Sequence, residues 1–530
     1  MRHFFAILLF LLVCPMVIAQ QEAWVYFDSK PNTEFYIDNP QLMLSQRAID
    51  RRAGQQIPID FKDVPLSDTF VNAVEALPGI TVKARSKWLN AVHVRGTLEN
   101  IQNIENLPFV AQVQIAGFGL APSPQSRRAA KFEALSDFNY GNAQNQIQML
   151  NGHLMHNAGF TGEGKIIAVM DAGFPGVNTA PAFAHLYQNN AILGGYDFVA
   201  RSDNFYSGHP HGTMVLATMG ALSENEIVGT APGASYYLFI TEDNASETPL
   251  EESLWVEAAE HADSLGVDII NTSLGYVNFD NPAHNYSFSD MDGQTTFISR
   301  GAEIAASRGM LVVVSAGNSG ATSQPFISAP ADAQSVLTIG AVTASGNYAS
   351  FSSIGPTADN RIKPDVVSQG QGAAIVQASG ALGFANGTSF SGPIIAGMAA
   401  CLWQSRPELS VAGLRELIRA SSDQSDNPNM YRGYGVPNFW LAYSTPLSTS
   451  VPETEKLRFS PTPSGDFIVF SGLDSNFPSA MRVVDMIGQT VLETLVINGE
   501  SVDVSRLSAG MYTIVLRNKH GHRTAKMLKK

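Results

Sequence analysis

Opening a peptide bond through a covalent intermediate requires a nucleophile, a base for its proton, and donors for the oxyanion. Four short segments carry those residue types. Ile167-Ala168-Val169-Met170-Asp171-Ala172-Gly173 delivers a carboxylate at the end of an apolar run. His209-Pro210-His211-Gly212-Thr213 sets a histidine at the start of a helical pattern, after a polar loop. Ser315-Ala316-Gly317-Asn318-Ser319-Gly320 offers an amide side chain after another apolar run. Asn386-Gly387-Thr388-Ser389-Phe390-Ser391-Gly392-Pro393 places Ser389 where a turn enters a small-residue helix, whose free amides favour developing negative charge. Each segment alone has a plainer explanation: Asp171 and Asn318 as turn residues, His211 as a satisfied histidine, Ser389 as a helix cap.

The elements around these residues alternate. Lys165–Met170, Ser235–Ile240, Val267–Ile270, Met310–Ser315 and Ser335–Val342 are short apolar runs that predict buried strands. His211–Leu222, Leu250–Leu265, Ser299–Ser307, Ser389–Gln404 and Val411–Ser421 predict helices. That order predicts an α/β domain with a mostly parallel sheet covered on both faces, whose sites lie at the carboxyl ends of strands.

The flanks differ. Met1–Ala19 has a basic start and an apolar centre too short for a comfortable membrane span, and reads as a secretory signal peptide. Residues 20–128 alternate strands (Ala23–Phe27, Leu89–Val94, Phe109–Ile115) with helices (Leu42–Arg52, Asp68–Ala76, Leu98–Leu107), which predicts a small α+β domain. The Gly, Pro and Ser of Gly117–Lys131, with Arg127-Arg128, read as an exposed linker. The α/β domain spans 129–446, a Ser/Thr/Pro-rich linker 447–455, and a glycine-punctuated run of strand patterns 456–530, read as a small all-β sandwich. Of two cysteines, Cys14 lies in the signal segment, so the mature chain keeps Cys401 alone and can form no internal disulfide. The chain of 530 residues carries a formal charge of −14, which argues against nucleic-acid binding.

With the four segments in the order Asp, His, Asn, Ser, residues 150–440 resemble the subtilisin-like serine proteases (subtilases). Asp171-Ala172-Gly173 resembles the family's Asp-Ser/Thr-Gly, His211-Gly212-Thr213 matches, and Gly387 to Pro393 resembles Gly-Thr-Ser-Met-Ser-Ala-Pro. Ala172, Met214 and Ile394 depart from the pattern without removing a catalytic atom. The resemblance implies that Ser389 is the nucleophile, His211 the base, Asp171 its orienting acid, and Asn318 with the Ser389 amide the oxyanion site. It implies a substrate strand at Ser273, Leu274 and Gly275, joined by Ala316 and Gly317. It implies no cofactor for the chemistry and admits a structural calcium. Ser86 to Val94 and Leu107 to Val110 resemble the family's inhibitory propeptide, cut between Gly117 and Phe132. The tail resembles a Bacteroidetes type IX secretion sorting domain, through Phe459 to Pro463, Val484 to Gly488, Leu507 to Tyr512 and Lys526 to Lys529. The implied protein is an extracellular or surface-attached endopeptidase made as a zymogen. Its partners are protein substrates, its own propeptide and the type IX machinery.

Other patterns weigh less. Gly159–Lys165 spells a phosphate loop, but Ile166 holds the Ser/Thr place and the glycines precede a strand. Gly387 to Ser391 is not the esterase elbow G-x-S-x-G. His209 and His211 lack further ligands at a metal spacing. Ser289-Asp290-Met291-Asp292-Gly293 has carboxylates a calcium would accept, though solvated loop acids explain it as well. A binding protein on a decayed protease fold and a secreted esterase or peptide ligase remain as rivals.

Overall fold

The computed structural model describes residues 20–116, 138–445, 458–460, 464–471, 479–485, 490–497, 500–518 and 521–530. The signal segment, the proposed cleavage region, the 447–455 linker, and Pro461, Thr462, Pro463, Met486, Ile487 and Gly488 lie outside the described residues. Two compact units divide after Ser444.

The first unit opens with an antiparallel sheet. Its strands are β1 (Gln20–Phe27), β2 (Thr81–Ser86), β3 (Ala91–Thr97) and β4 (Val110–Ile115), in the order β2-β3-β1-β4. Its helices are α1 (Gln46–Gly54), α2 (Asp68–Glu75) and α3 (Leu98–Asn103). The expected helix from Leu42 begins later, because Ser45 Oγ accepts the Ala48 amide and caps it there. The two-residue period of β1 sorts its side chains. Ala23, Val25 and Phe27 pack with Val71, Val74 and Ile101 of its own helices, while Trp24 faces away.

The α/β part is a seven-stranded, wholly parallel sheet. Its strands are β5 (Ile166–Asp171), β6 (Ile192–Asp197), β7 (Ser235–Ile240), β8 (Ile269–Thr272), β9 (Leu311–Ser315), β10 (Leu337–Val342) and β11 (Val366–Gln369), ordered β11-β10-β9-β8-β5-β7-β6. Helices α4 (His211–Gly220), α5 (Pro249–Leu265) and α6 (Phe297–Ser307) precede a hairpin, β12 (Gln371–Val376) with β13 (Leu382–Asn386), and then α7 (Thr388–Ser405) and α8 (Val411–Ala420). Ile167 and Val169 of β5 join the core with α4, α7 and α8, and Ala168 and Met170 join the core with α5 and α6. Both faces are covered, as expected. Strand order reverses at β5, which opens a crevice at the carboxyl ends of β7, β5, β8 and β9.

The second unit holds two antiparallel sheets around Ile468, Phe470, Met481, Val483, Ile514 and Leu516. One is β14 (Arg458–Ser460), β15 (Phe467–Ser471) and β18 (Ser501–Asp503). The other is β17 (Thr490–Val496), β16 (Ser479–Val484), β19 (Gly510–Asn518) and β20 (Gly521–Lys529). The all-β expectation holds. Among the described residues, no helix is long and apolar enough to cross a membrane.

Residues 20–116 lie on α5 and α6. Trp24 stacks on Phe297 at 4.8 Å and donates Nε1–H to Ser253 Oγ at 2.8 Å. Glu260 of α5 accepts from Ser86 Oγ (2.7 Å) and the Lys87 (3.0 Å) and Trp88 (2.9 Å) amides. Arg52 is bound by Asp63 at 2.7 Å and by Asp263 of α5 at 2.6 Å, all fully buried. Arg51 also pairs with Asp263, and Arg308 reaches Asp60 at 3.1 Å. Arg52→Ala takes a buried partner from both carboxylates and leaves Asp263 to Arg51 alone, and breaking such a buried pair costs about 3–5 kcal/mol. Hydrogen exchange of the β1–β4 amides in the full chain is expected to quicken accordingly; unchanged exchange would show that the network does not hold this sheet down.

Candidate active site

Asp171 ends β5 and is fully buried. Its Oδ1 accepts the Ala172 amide at 2.8 Å. His211 is the first residue of α4, and its Nδ1 lies 2.8 Å and 3.0 Å from the two Asp171 carboxylate oxygens. This contact assigns the Nδ1–H tautomer, which leaves Nε2 as the base. Gly173 (φ +147°) permits the approach, since a Cβ there would lie 2.3 Å from the Ser207 carbonyl oxygen. Burial disfavours the His211 cation, but the Asp171 charge and hydrogen bond, with the Glu242 charge, outweigh it and raise the pKa above the usual value.

Ser389 is the second residue of α7, so its amide is among the free donors of the first turn. Gly387 precedes the helix at φ +152°, a conformation that needs glycine although a Cβ would find nothing nearer than 3.7 Å. Pro393 lies four residues on and has no N–H for the Ser389 carbonyl. Ser273 Oγ donates to that carbonyl instead, at 2.9 Å, and the Ser389 hydroxyl donates to the Ser273 carbonyl at 3.3 Å. No hydrogen bond joins Ser389 to His211, whose ring sits 5.8 Å from that of Phe390. Such bonds often form only once substrate is bound. Asn318 Oδ1 accepts the Thr388 amide (2.9 Å) and hydroxyl (3.0 Å), which leaves its Nδ2 as the free donor. Thr388 thus orients Asn318, a role the motif conceals because it names Thr388 only as the residue before the serine.

Two cavities meet here. One of 420 Å³ is lined by His211, Ser273 and Leu274, and by the acids Glu242, Glu247, Glu251 and Asp280. The other, of 300 Å³, is lined by Ser273, Leu274, Gly275, Gly317, Asn318 and Ser389 among others. Sequence reasoning missed the acids: Glu242, Glu247 and Asp280 stand in loops with no motif, and Glu251 belongs to the capping box that opens α5. Ala316 does not belong with the expected substrate residues. It is fully buried in the core, its amide donates to the Ile339 carbonyl, and its carbonyl accepts the Ser328 amide. Cys401 is buried with its thiol pKa pushed up by burial, as expected of a packing residue. The Asp290 and Asp292 carboxylates accept hydrogen bonds from Ser287, Gln294 and Thr295. No cluster of three or more metal-ligating side chains occurs among the described residues.

The subtilase family model (peptidase S8) matches residues 162–436, just over half of the chain. The chain belongs to the subtilase family. The peptidase S8 propeptide domain of Bacteroidota matches residues 22–131, and the secretion system C-terminal sorting domain matches 459–530. This subtilase is 31% identical to M-protease of Shouchella clausii (strain KSM-K16) over 401 residues, 76% of this chain and 88% of that one. It is 30% identical to subtilisin NAT of Bacillus subtilis subsp. natto over 301 residues, 56% of this chain and 70% of that one. The crystal structure of MycP1 without its propeptide aligns at 23% identity and TM-score 0.46, covering 58% of this chain and 98% of that one. The subtilase is therefore a secreted, autoprocessed serine endopeptidase, exported across the outer membrane to the cell surface or beyond.

The raised His211 pKa fixes a sign. The imidazole can accept a proton only above that pKa, so a cleavage that uses it as the base falls off as pH drops through it. In Asp171→Asn the largest raising influence is gone and burial lowers the pKa. The acid limb of kcat/KM against pH is expected to move to lower pH, with kcat down by ~10⁴. A limb that stays in place would remove Asp171 as the partner of His211.

Proposed function

We propose that Ser389, His211, Asp171 and Asn318 carry the peptide-bond cleavage. Ser389 Oγ attacks the scissile carbonyl carbon as His211 Nε2 takes its proton. The carbonyl oxygen becomes an oxyanion that receives hydrogen bonds from Asn318 Nδ2 and the Ser389 amide. His211 then gives its proton to the leaving nitrogen, the C–N bond breaks, and an ester to Ser389 remains. Water, deprotonated by the same histidine, hydrolyses that ester. Asp171 holds the tautomer and stabilises the imidazolium. The Asp171–His211 contact at 2.8 Å, facing the cleft that Ser389 borders, is the observation that carries the reading. These groups supply every proton and bond change, so the reading calls for no cofactor.

Ser273, Leu274 and Gly275 would pair with the extended substrate backbone as an added strand. Residues 20–128 would act as the intramolecular inhibitor, cut within the Gly117–Phe132 stretch. The test follows the mass of the native full chain and of Ser389→Ala, without added protease, alongside labelling by a serine-directed phosphonate. The native chain is expected to shed about its first hundred residues and take the label, while Ser389→Ala does neither. A folded native chain that neither matures nor labels would overturn the reading.

A further inference from the structure

The smaller cavity opens between Ser273–Gly275 on one side and Ser315–Ser319 on the other. An acyl carbonyl held at Ser389 and Asn318, with its chain beside Ser273–Gly275, sends its own side chain between those walls. Two glycines keep the space clear around one atom. A Cβ at Gly275 would come within 2.2 Å of Ser328 Oγ, and one at Gly317 within 3.1 Å. Ser328 is 6% exposed, and its hydroxyl has no hydrogen-bond partner. A buried hydroxyl left unpaired is costly, so the cavity lacks a polar group at that place.

The rest of the lining agrees. Leu274 and Val277 are its only aliphatic side chains, and no lysine or arginine lines it or the neighbouring cavity. Glu247 lines both cavities. Its carboxylate makes no hydrogen bond or ion pair with any described residue. Burial, and then the charge of Asp280, push its pKa up to about 7. Around it, Glu242 and Glu251 add acid rather than counter-charge. An apolar guest would leave Ser328 unpaired and dry out an acid. A cationic guest with N–H donors resolves both.

We propose, building on the assignment of Ser389 as the acylated residue, that this cavity receives a lysine or arginine side chain from the substrate residue on the acyl side of the cleaved bond. Ser328 Oγ accepts from its N–H groups deep in the cavity, and Glu247 supplies the counter-charge toward solvent. Both are specificity-determining residues for the cleavage.

The experiment uses the matured enzyme and peptides that differ only at that residue: lysine, arginine, glutamine, leucine or phenylalanine. In the native enzyme, kcat/KM for lysine or arginine is expected to exceed that for leucine and phenylalanine by about tenfold or more, the effect of one well-placed charge-assisted pair. Glu247→Gln is expected to lower that ratio about tenfold. Ser328→Ala is expected to lower it less, because a hydroxyl is a neutral partner. Leucine or phenylalanine cut as well as lysine, or a lysine preference unmoved by Glu247→Gln, overturns the assignment. Phosphonate labelling of each variant separates the two claims. An enzyme that labels and cuts without preference fails the cavity assignment alone, while one that neither labels nor cuts fails the protease reading beneath it.

Discussion

The seating of the α7 N-terminus is the constraint on which the rest of the site depends. A helix whose residues 388–403 are all buried cannot shift one end without disturbing the whole core. Its first turn is tied at three points to two strand ends. Ser273 after β8 exchanges hydrogen bonds with Ser389, Ser315 at the end of β9 donates to the Thr388 carbonyl at 2.7 Å, and Asn318 clamps the Thr388 amide. The first tie exists because Pro393 withholds a donor from the Ser389 carbonyl. A proline that would weaken another helix here frees an acceptor for the substrate-binding wall to use. Nucleophile, oxyanion donor and substrate strand are thereby fixed relative to one another by backbone groups, which have little freedom to drift.

The propeptide sheet is held by a different kind of force. Trp24 on Phe297 is apolar, but a network of the specific contacts is ionic: Arg51 and Arg52 on Asp263, Arg308 on Asp60, and Arg47 on Asp268 at 2.5 Å. A buried ion network carries a desolvation cost that cancels much of its Coulomb gain, so it adds more to the fit than to net affinity. That balance suits a domain that must dock in one orientation and then leave. When it separates, its arginines and Asp60, and their partners Asp263, Asp268 and Arg308, return to water. An apolar interface of the same size would lose its whole gain on separation and leave a sticky face behind.

The sequence disclosed the candidate site more fully than its surroundings. The places of Asp171, His211 and Ser389 were legible because each sits at the junction of a strand or helix with a loop, and such junctions have local signatures. The parallel sheet was legible from its apolar runs. The strands that went unread have sequences that hide them. Ile192–Asp197 carries Gly194-Gly195, which reads as a turn, yet the Gly195 Cα lies too close to Leu238 of β7 for any side chain. Thr81–Ser86 shows Lys83 and Arg85 to solvent and has little apolar pattern. Gly521–Lys529 is an edge strand whose polar residues obscure the alternation. Ala316 hides for a related reason. In a motif it stands beside Gly317 and Asn318, but the chain has left β9 by then, and there its side chain packs into the core while Gly317 and Asn318 line the cleft.

The acids of the cleft bring a physical tension into the mechanism. Glu242 is half-buried, accepts the Tyr276 hydroxyl, and still has its pKa raised by desolvation and by the charges of Glu247 and Asp171. The field that makes it hard for these carboxylates to ionise together also favours a proton on His211, since Glu242 is among the charges that raise the imidazole pKa. Taken alone, that field works against the base, because a protonated histidine cannot accept the serine proton. A cationic side chain beside Glu247 enters the same balance twice. Its positive charge acts against a proton on His211, while the acids that it lets ionise at lower pH act for one. The charge that recognises the substrate and the charge that governs the base belong to one electrostatic system.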